Sequence, residues 1–290
     1  MTKPLFTGVC TALVTPFLNG KINYPMMEQL LARQIRSGVS AVVVAGTTGE
    51  SSTLSDIEKL ELFQRCVEYA AGKCKIIAGT GSNDTVHAVA LSKAAQGAGV
   101  DALLVVSPYY NKATPGGLLS HYMSIANSVE IPIILYNVPS RTGVDIPVSV
   151  YQRLSIVPNI IGVKEASPDI TKITKIRREC SGDFCIWSGN DDQIVPIISL
   201  GGKGVISVLS NVCPEETKAM VDAALDGDFD TASDLQCRLS SLVELLFCEV
   251  NPIPVKAAMK MIGYDCGSCR LPLTSLTEES YAKLKNYLNP

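Results

Sequence analysis

Histidine is the scarcest titratable residue in this chain: 290 residues contain only two, His87 and His121, beside a single tryptophan. So few imidazoles argue against the histidine-ligated metal of many hydrolases and leave little imidazole for proton transfer. No cluster of five basic residues occurs. The net charge of -3, from 25 basic and 28 acidic residues, gives nucleic acid no electrostatic footprint to recognise. No apolar run approaches the roughly 18 residues of a membrane span, so no membrane partner is expected. The stretch Met1-Thr2-Lys3-Pro4-Leu5-Phe6 lacks a long apolar segment ahead of a small-residue cleavage site, and a cytoplasmic protein is expected.

Cysteine is not scarce, but the ten present are scattered through a long chain and are expected to stay reduced. The one close pair, Cys266 and Cys269, has neither a second pair nor nearby histidines, so no metal site is expected. No G-x-G-x-x-G follows the first apolar run, which weakens a dinucleotide-binding assignment. Gly79-Thr80-Gly81-Ser82 lacks the lysine of a P-loop and reads as a tight turn.

What is abundant is apolar: 47% hydrophobic against 18% charged residues describes a compact soluble protein with a large core. Short β-branched runs recur over residues 8–14, 41–44, 75–78, 102–106, 131–136, 160–163, 185–187 and 205–209. Amphipathic helical segments fall between them, at 26–37, 56–71, 85–98, 117–128 and 169–180. Eight strands alternating with helices imply parallel pairing, and the expected fold is α/β: a (β/α)8 TIM barrel over residues 1–225. Further helical segments at 229–248, 254–261 and 277–288 make residues 226–290 a C-terminal helical extension.

Barrel active sites lie where strands end, so the residues there carry the chemistry. Apolar Ile160-Ile161-Gly162-Val163 leads straight into Lys164. A buried ammonium costs several kcal/mol unless it is paired or sheds its proton. A lysine that sheds its proton is a nucleophile for carbonyl carbon, forming a Schiff base. The plainer alternative is a strand-end ion pair, with Glu165 or with a carboxylate from another strand. Gly46-Thr47-Thr48-Gly49-Glu50-Ser51 offers hydroxyls and close backbone N–H groups suited to a carboxylate ligand, or else threonines capping a helix that begins near Ser55. Tyr109 and Tyr110 follow the fourth strand, and Tyr136 ends the fifth, five residues before Arg141. Tyrosine can relay protons and arginine can hold a carboxylate bidentately. Gly189 and Ile206 face the same mouth, whereas Asp191 and Asp192, at the start of a helix, read as caps rather than an acid–base pair.

Together Gly46–Ser51, Pro108–Lys112, Tyr136–Thr142, Gly162–Ser167 and Ser188–Asp191 resemble the dihydrodipicolinate synthases, pyruvate-dependent class I aldolases, and the likeness spans nearly the whole chain. The resemblance implies that Lys164 condenses with the ketone of pyruvate, and that Thr47 and Thr48 hold its carboxylate. It makes Thr48, Tyr136 and Tyr110 a proton relay, with Tyr110 reaching into a neighbouring subunit, and gives Arg141 the carboxylate of aspartate 4-semialdehyde. It implies no metal or organic cofactor, and a homo-oligomer, at least a dimer and by likeness a tetramer. N-acetylneuraminate lyase and 2-keto-3-deoxygluconate aldolase are the alternatives within the superfamily, and they differ after the strand-five tyrosine. Relatives often bind lysine as a feedback inhibitor. The corresponding residues here keep Ser51, Asn83 and Tyr109, but have Asp56, Lys59 and His87 where sensitive enzymes carry other groups. His87 stands in place of a glutamate, which implies weak or absent lysine inhibition.

Overall fold

A computed structural model describes residues 4–288; the first three residues of the Met1–Phe6 stretch and the last two of the C-terminal extension lie outside them. Eight parallel strands close into a barrel in chain order: β1 (Gly8–Ala12), β2 (Ala41–Val44), β3 (Lys75–Gly79), β4 (Ala102–Val106), β5 (Ile133–Asn137), β6 (Ile160–Glu165), β7 (Cys185–Ser188) and β8 (Gly204–Ser207). A helix follows each strand: α1 (Tyr24–Arg36), α2 (Asp56–Ala70), α3 (Thr85–Gly97), α4 (Pro115–Ala126), α5 (Val148–Leu154), α6 (Ile170–Glu179), α7 (Ile194–Ser199) and α8 (Pro214–Asp226). Three more complete the chain: α9 (Phe229–Leu246), α10 (Ile253–Met261) and α11 (Glu278–Leu288). The architecture is the expected TIM barrel with helices after it. Among the described residues no helix is long and apolar enough to cross a membrane.

Strands apolar on both faces build two cores. Val42, Val44, Leu103, Leu135 and Val163 point outward and pack beneath the helices. Cys10, Val43, Ile77, Leu104, Tyr136, Trp187 and Ile206 fill the barrel interior. Phe6 stacks on Trp187 with ring centroids 4.8 Å apart. Gly162 makes room for that indole: a Cβ there would lie 2.2 Å from the Cys185 carbonyl oxygen and 2.8 Å from the Trp187 ring.

Helix α2 begins with a capping box, in which Ser55 Oγ accepts from the Glu58 N–H and the Glu58 carboxylate accepts from the Ser55 N–H. Ser55 is therefore the cap, and Thr47 and Thr48 are left for another task. Helices α5 and α7, seven and six residues long, do not show in the sequence periodicity because two turns are too few to establish a 3.6-residue repeat.

Candidate active site

Strand pairing decides which way Lys164 points. In the parallel register Tyr136 lies opposite Lys164, and Lys164 lies opposite Trp187. Tyr136 and Trp187 belong to the barrel interior, so Lys164 does too, and its Nζ sits 4.4 Å from the centroid of the Tyr136 ring. Alternation turns Glu165 to the outer face, and the ion pair between these two neighbours is not formed. Among the described residues four lysines are buried: Lys59, Lys164, Lys172 and Lys256. Lys59 pairs with Asp56, Lys172 with Asp145 and Glu165, and Lys256 with Glu50. Of these four, Lys164 alone has no carboxylate partner among the described residues, although it is only 5% exposed.

The loop after β2 carries Thr47 and Thr48 and is fastened from several sides. Glu50 adopts the left-handed conformation at φ 56°, an arrangement costing about 1–3 kcal/mol that persists where surrounding contacts enforce it. Here Lys256 Nζ donates to Glu50 Oε1 at 2.8 Å, the Arg270 N–H donates to Glu50 Oε2 at 2.8 Å, and Thr15 Oγ1 donates to the Gly49 carbonyl at 2.7 Å. Asn251, just before α10, donates through Nδ2 to Thr48 Oγ1 at 3.0 Å. Its backbone carbonyl accepts from Arg141 Nη2 at 3.2 Å, and its own Oδ1 is buried without a partner. Arg141 itself is exposed, on a four-residue helical turn, Pro139–Thr142, that follows β5. Sequence reasoning missed Asn251, since an asparagine ahead of Pro252-Ile253-Pro254 reads only as a helix start.

Gly189 donates its N–H to the Glu165 carbonyl at 2.7 Å, and a Cβ on it would lie 2.6 Å from the Ala166 Cβ; Ile206 is fully buried in the interior. Asp191 and Asp192 diverge. Asp192 is exposed, while Asp191 is buried and accepts through Oδ2 from the N–H groups of Val208 and Leu209. Asp191 thus ties down the chain after β8 instead of capping its own helix, and burial raises its pKa against the opposing pull of those donors and of Lys164.

A cavity of 830 Å³ opens at this end of the barrel. Thr47, Tyr136, Arg141 and Asn251 line one part, and Ser51, Asn83, His87 and Tyr109 another. Lys164, Thr48 and Ile206 are buried and, with the half-buried Gly189, lie outside its wall. In the second part His87 Nε2 lies 2.8 Å from Asp56 Oδ2, and the Lys59 ammonium lies 3.8 Å from the same carboxylate. Tyr110 joins neither part: it is 88% exposed, at φ 72°.

The sequence model of the dihydrodipicolinate synthetase family matches residues 5–290. The chain belongs to that family. Two relatives, both named 4-hydroxy-tetrahydrodipicolinate synthase, show how full the match is. That of Acetivibrio thermocellus is 46% identical over 288 residues, spanning 99% of this chain and 98% of the relative. That of Caldicellulosiruptor saccharolyticus is 48% identical over 286 residues, with 98% and 97% covered. The crystal structure of dihydrodipicolinate synthase from Aquifex aeolicus superposes with a TM-score of 0.96 at 44% identity, covering 98% of this chain and 97% of that one. That of the Cyanidioschyzon merolae enzyme, solved with lysine bound, gives 0.95 at 42%, with 98% and 97% covered. This member of the dihydrodipicolinate synthetase family is a lyase.

Proposed function

We infer that the chain condenses pyruvate with L-aspartate 4-semialdehyde to give 4-hydroxy-tetrahydrodipicolinate, a step of diaminopimelate and lysine biosynthesis. The observation that carries the reading is the buried, carboxylate-free Lys164 on the barrel interior against Tyr136. Lys164 Nζ adds to the ketone carbon of pyruvate and water leaves, giving a Schiff base. Loss of a methyl proton gives the enamine, whose carbon attacks the aldehyde of the second substrate. The amino group of that substrate then adds to the imine carbon, closes the ring and expels the lysine amine. In this reading Thr47 and Thr48 hold the pyruvate carboxylate near the small Gly189 and the apolar Ile206. Arg141, exposed and anchored by one nitrogen to Asn251, receives the carboxylate of the semialdehyde. Thr48, Tyr136 and Tyr110 move the protons, which suits a chain with so little histidine.

Tyr110 projects from its own chain, which supports a site completed by a second copy, in a dimer at least and a tetramer by family likeness. The division at residue 225 belongs to the same proposal, because α8 ends at Asp226 and the helices beyond it form the extension. Ten unpaired cysteines agree with a reducing, cytoplasmic location. The effector residues Ser51, Asn83, His87 and Tyr109 face a part of the cavity where the Asp56 carboxylate is already paired with Lys59 and lies 2.8 Å from His87 Nε2. Lysine is therefore expected to inhibit weakly or not at all, and a micromolar inhibition constant at neutral pH would refute this.

Borohydride trapping with pyruvate, followed by peptide mapping, tests the chemistry. A reduced adduct on Lys164 that turns over with aspartate 4-semialdehyde is the expected result. Turnover only with sugar aldehydes such as N-acetylmannosamine would move the chain to the sugar-acid aldolases, and no adduct would return Lys164 to a structural role.

A further inference from the structure

Lys164 has no polar anchor on the barrel interior, so whatever aims it must act from elsewhere. The pairing of β5 with β6 makes this a real requirement. Ile133 pairs with Ile160 but Ile134 pairs with Gly162, so Ile161 is an extra residue bulged out of the ladder. Without the bulge every later residue of β6 would slip by one: Val163 would face Tyr136, and Lys164 would stand opposite Asn137 on the outer face. On that outer face, one residue beyond the Tyr136–Lys164 pair, lies a buried polar knot. Asn137 Nδ2 donates to Glu165 Oε1 at 2.7 Å and to Asp145 Oδ1 at 2.7 Å, while its Oδ1 accepts from the Ile146 N–H at 3.0 Å. Glu165 also accepts from the Ser167 N–H at 2.9 Å and from the Tyr151 hydroxyl of α5 at 2.9 Å. Lys172 of α6 closes the knot, 3.6 Å from Glu165 Oε2 and bonded to Asp145. Asn137 and Glu165 are 0% and 1% exposed.

We propose that Glu165, gripped by Asn137, Tyr151 and Lys172, is a positioning residue that selects the bulged register of β5 and β6 and thereby presents the Lys164 amine to the barrel interior beside Tyr136. The slipped register would separate Asn137 from Glu165 and strand a buried carboxylate, so the knot penalises the wrong register and rewards the right one. Burial and the neighbouring carboxylate push the Tyr151 hydroxyl up, so it remains a proton donor to Glu165 throughout the working pH range.

The proposal rests on the imine reading of Lys164, and its test separates the two. Imine formation is followed by borohydride trapping over time and over pyruvate concentration in the full-length protein, in Glu165→Gln, and in the milder Tyr151→Phe. Glu165→Gln preserves shape but removes the charge and puts an NH2 donor where an oxygen now accepts from the Tyr151 hydroxyl and pairs with Lys172. It should slow trapping at saturating pyruvate about tenfold or more, with the half-saturating pyruvate concentration moved by less than about twofold. Tyr151→Phe should produce a smaller slowing of the same kind, and it decides the matter if Glu165→Gln does not fold. Folded variants that trap as fast as wild type, whatever their melting temperature, would overturn the register role. Failure of the wild-type protein to trap at all would instead overturn the imine reading.

Discussion

Lys164 and Lys256 are both buried lysines, but only the replacement of Lys256 by methionine should lower stability. Lys164→Met removes a buried polar amine that has no carboxylate partner, so it should abolish the pyruvate adduct while leaving the melting temperature unchanged or raised. Lys256→Met leaves Glu50 charged and uncompensated and should cost about 3–5 kcal/mol in chemical denaturation. Arg141→Ala should spare imine trapping with pyruvate. It should lower kcat/KM for the semialdehyde roughly 10- to 150-fold, as expected for a lost charge-assisted hydrogen bond of about 1.5–3 kcal/mol. The positions of Lys164, Tyr136 and the threonine pair at strand ends were legible because each ends or closely follows an apolar run that reads as a strand, whereas Arg141 lies five residues past Tyr136 on a short helical turn. Asn251 was not legible, because nothing in its local sequence says that the loop before α10 returns to the barrel mouth, where it meets Thr48 and Arg141.

At the level of elements, the segments after α8 brace the strand-end loops. Lys256 and Arg270 both bind Glu50, and Arg270 also holds Glu58, the partner of Ser55 in the capping box of α2, with Nη1 donating at 3.0 Å. The Glu50→Gln/Lys256→Met pair should recover much of the stability lost by Lys256→Met alone, since it removes the stranded carboxylate; equal denaturation midpoints for the two would show that charge is not the cause. Strand positions were legible to within a few residues because two-sided burial writes continuous apolar runs into the sequence. Their ends were less so: β5 starts at Ile133 rather than Ile131, past Pro132, which has no N–H to give the ladder. The bulge at Ile161 leaves no mark in the sequence, since Ile160 and Ile161 would suit either face.

For the whole molecule, acid should weaken the fold in two stages. Burial lowers the pKa of His121 from 6.5 to about 4, so the unfolded chain takes up its proton first. The stability that His121 contributes is complete above pH 6.5, is lost as pH falls toward 4, and amounts to at most about 3 kcal/mol. Glu58, held down to about 2 chiefly by Arg270, contributes fully above pH 4.5 and loses that contribution as pH falls toward 2. Unfolding midpoints measured from pH 7 to 4 should decline in wild type and flatten in His121→Gln. If Tyr110 completes a neighbour's site, mixing inactive Lys164→Ala and Tyr110→Phe subunits should restore activity in about a quarter of sites, and no recovery would count against the shared site. The single cavity running from Tyr136 to His87 carries a pharmacological consequence. A keto acid tethered to a group that fits beside the Asp56–His87 pair would occupy both ends as one molecule, its second contact made at the high local concentration that a short tether creates. Because the far end is built here from a histidine and an aspartate, such a compound would discriminate this protein from any that carries other groups there.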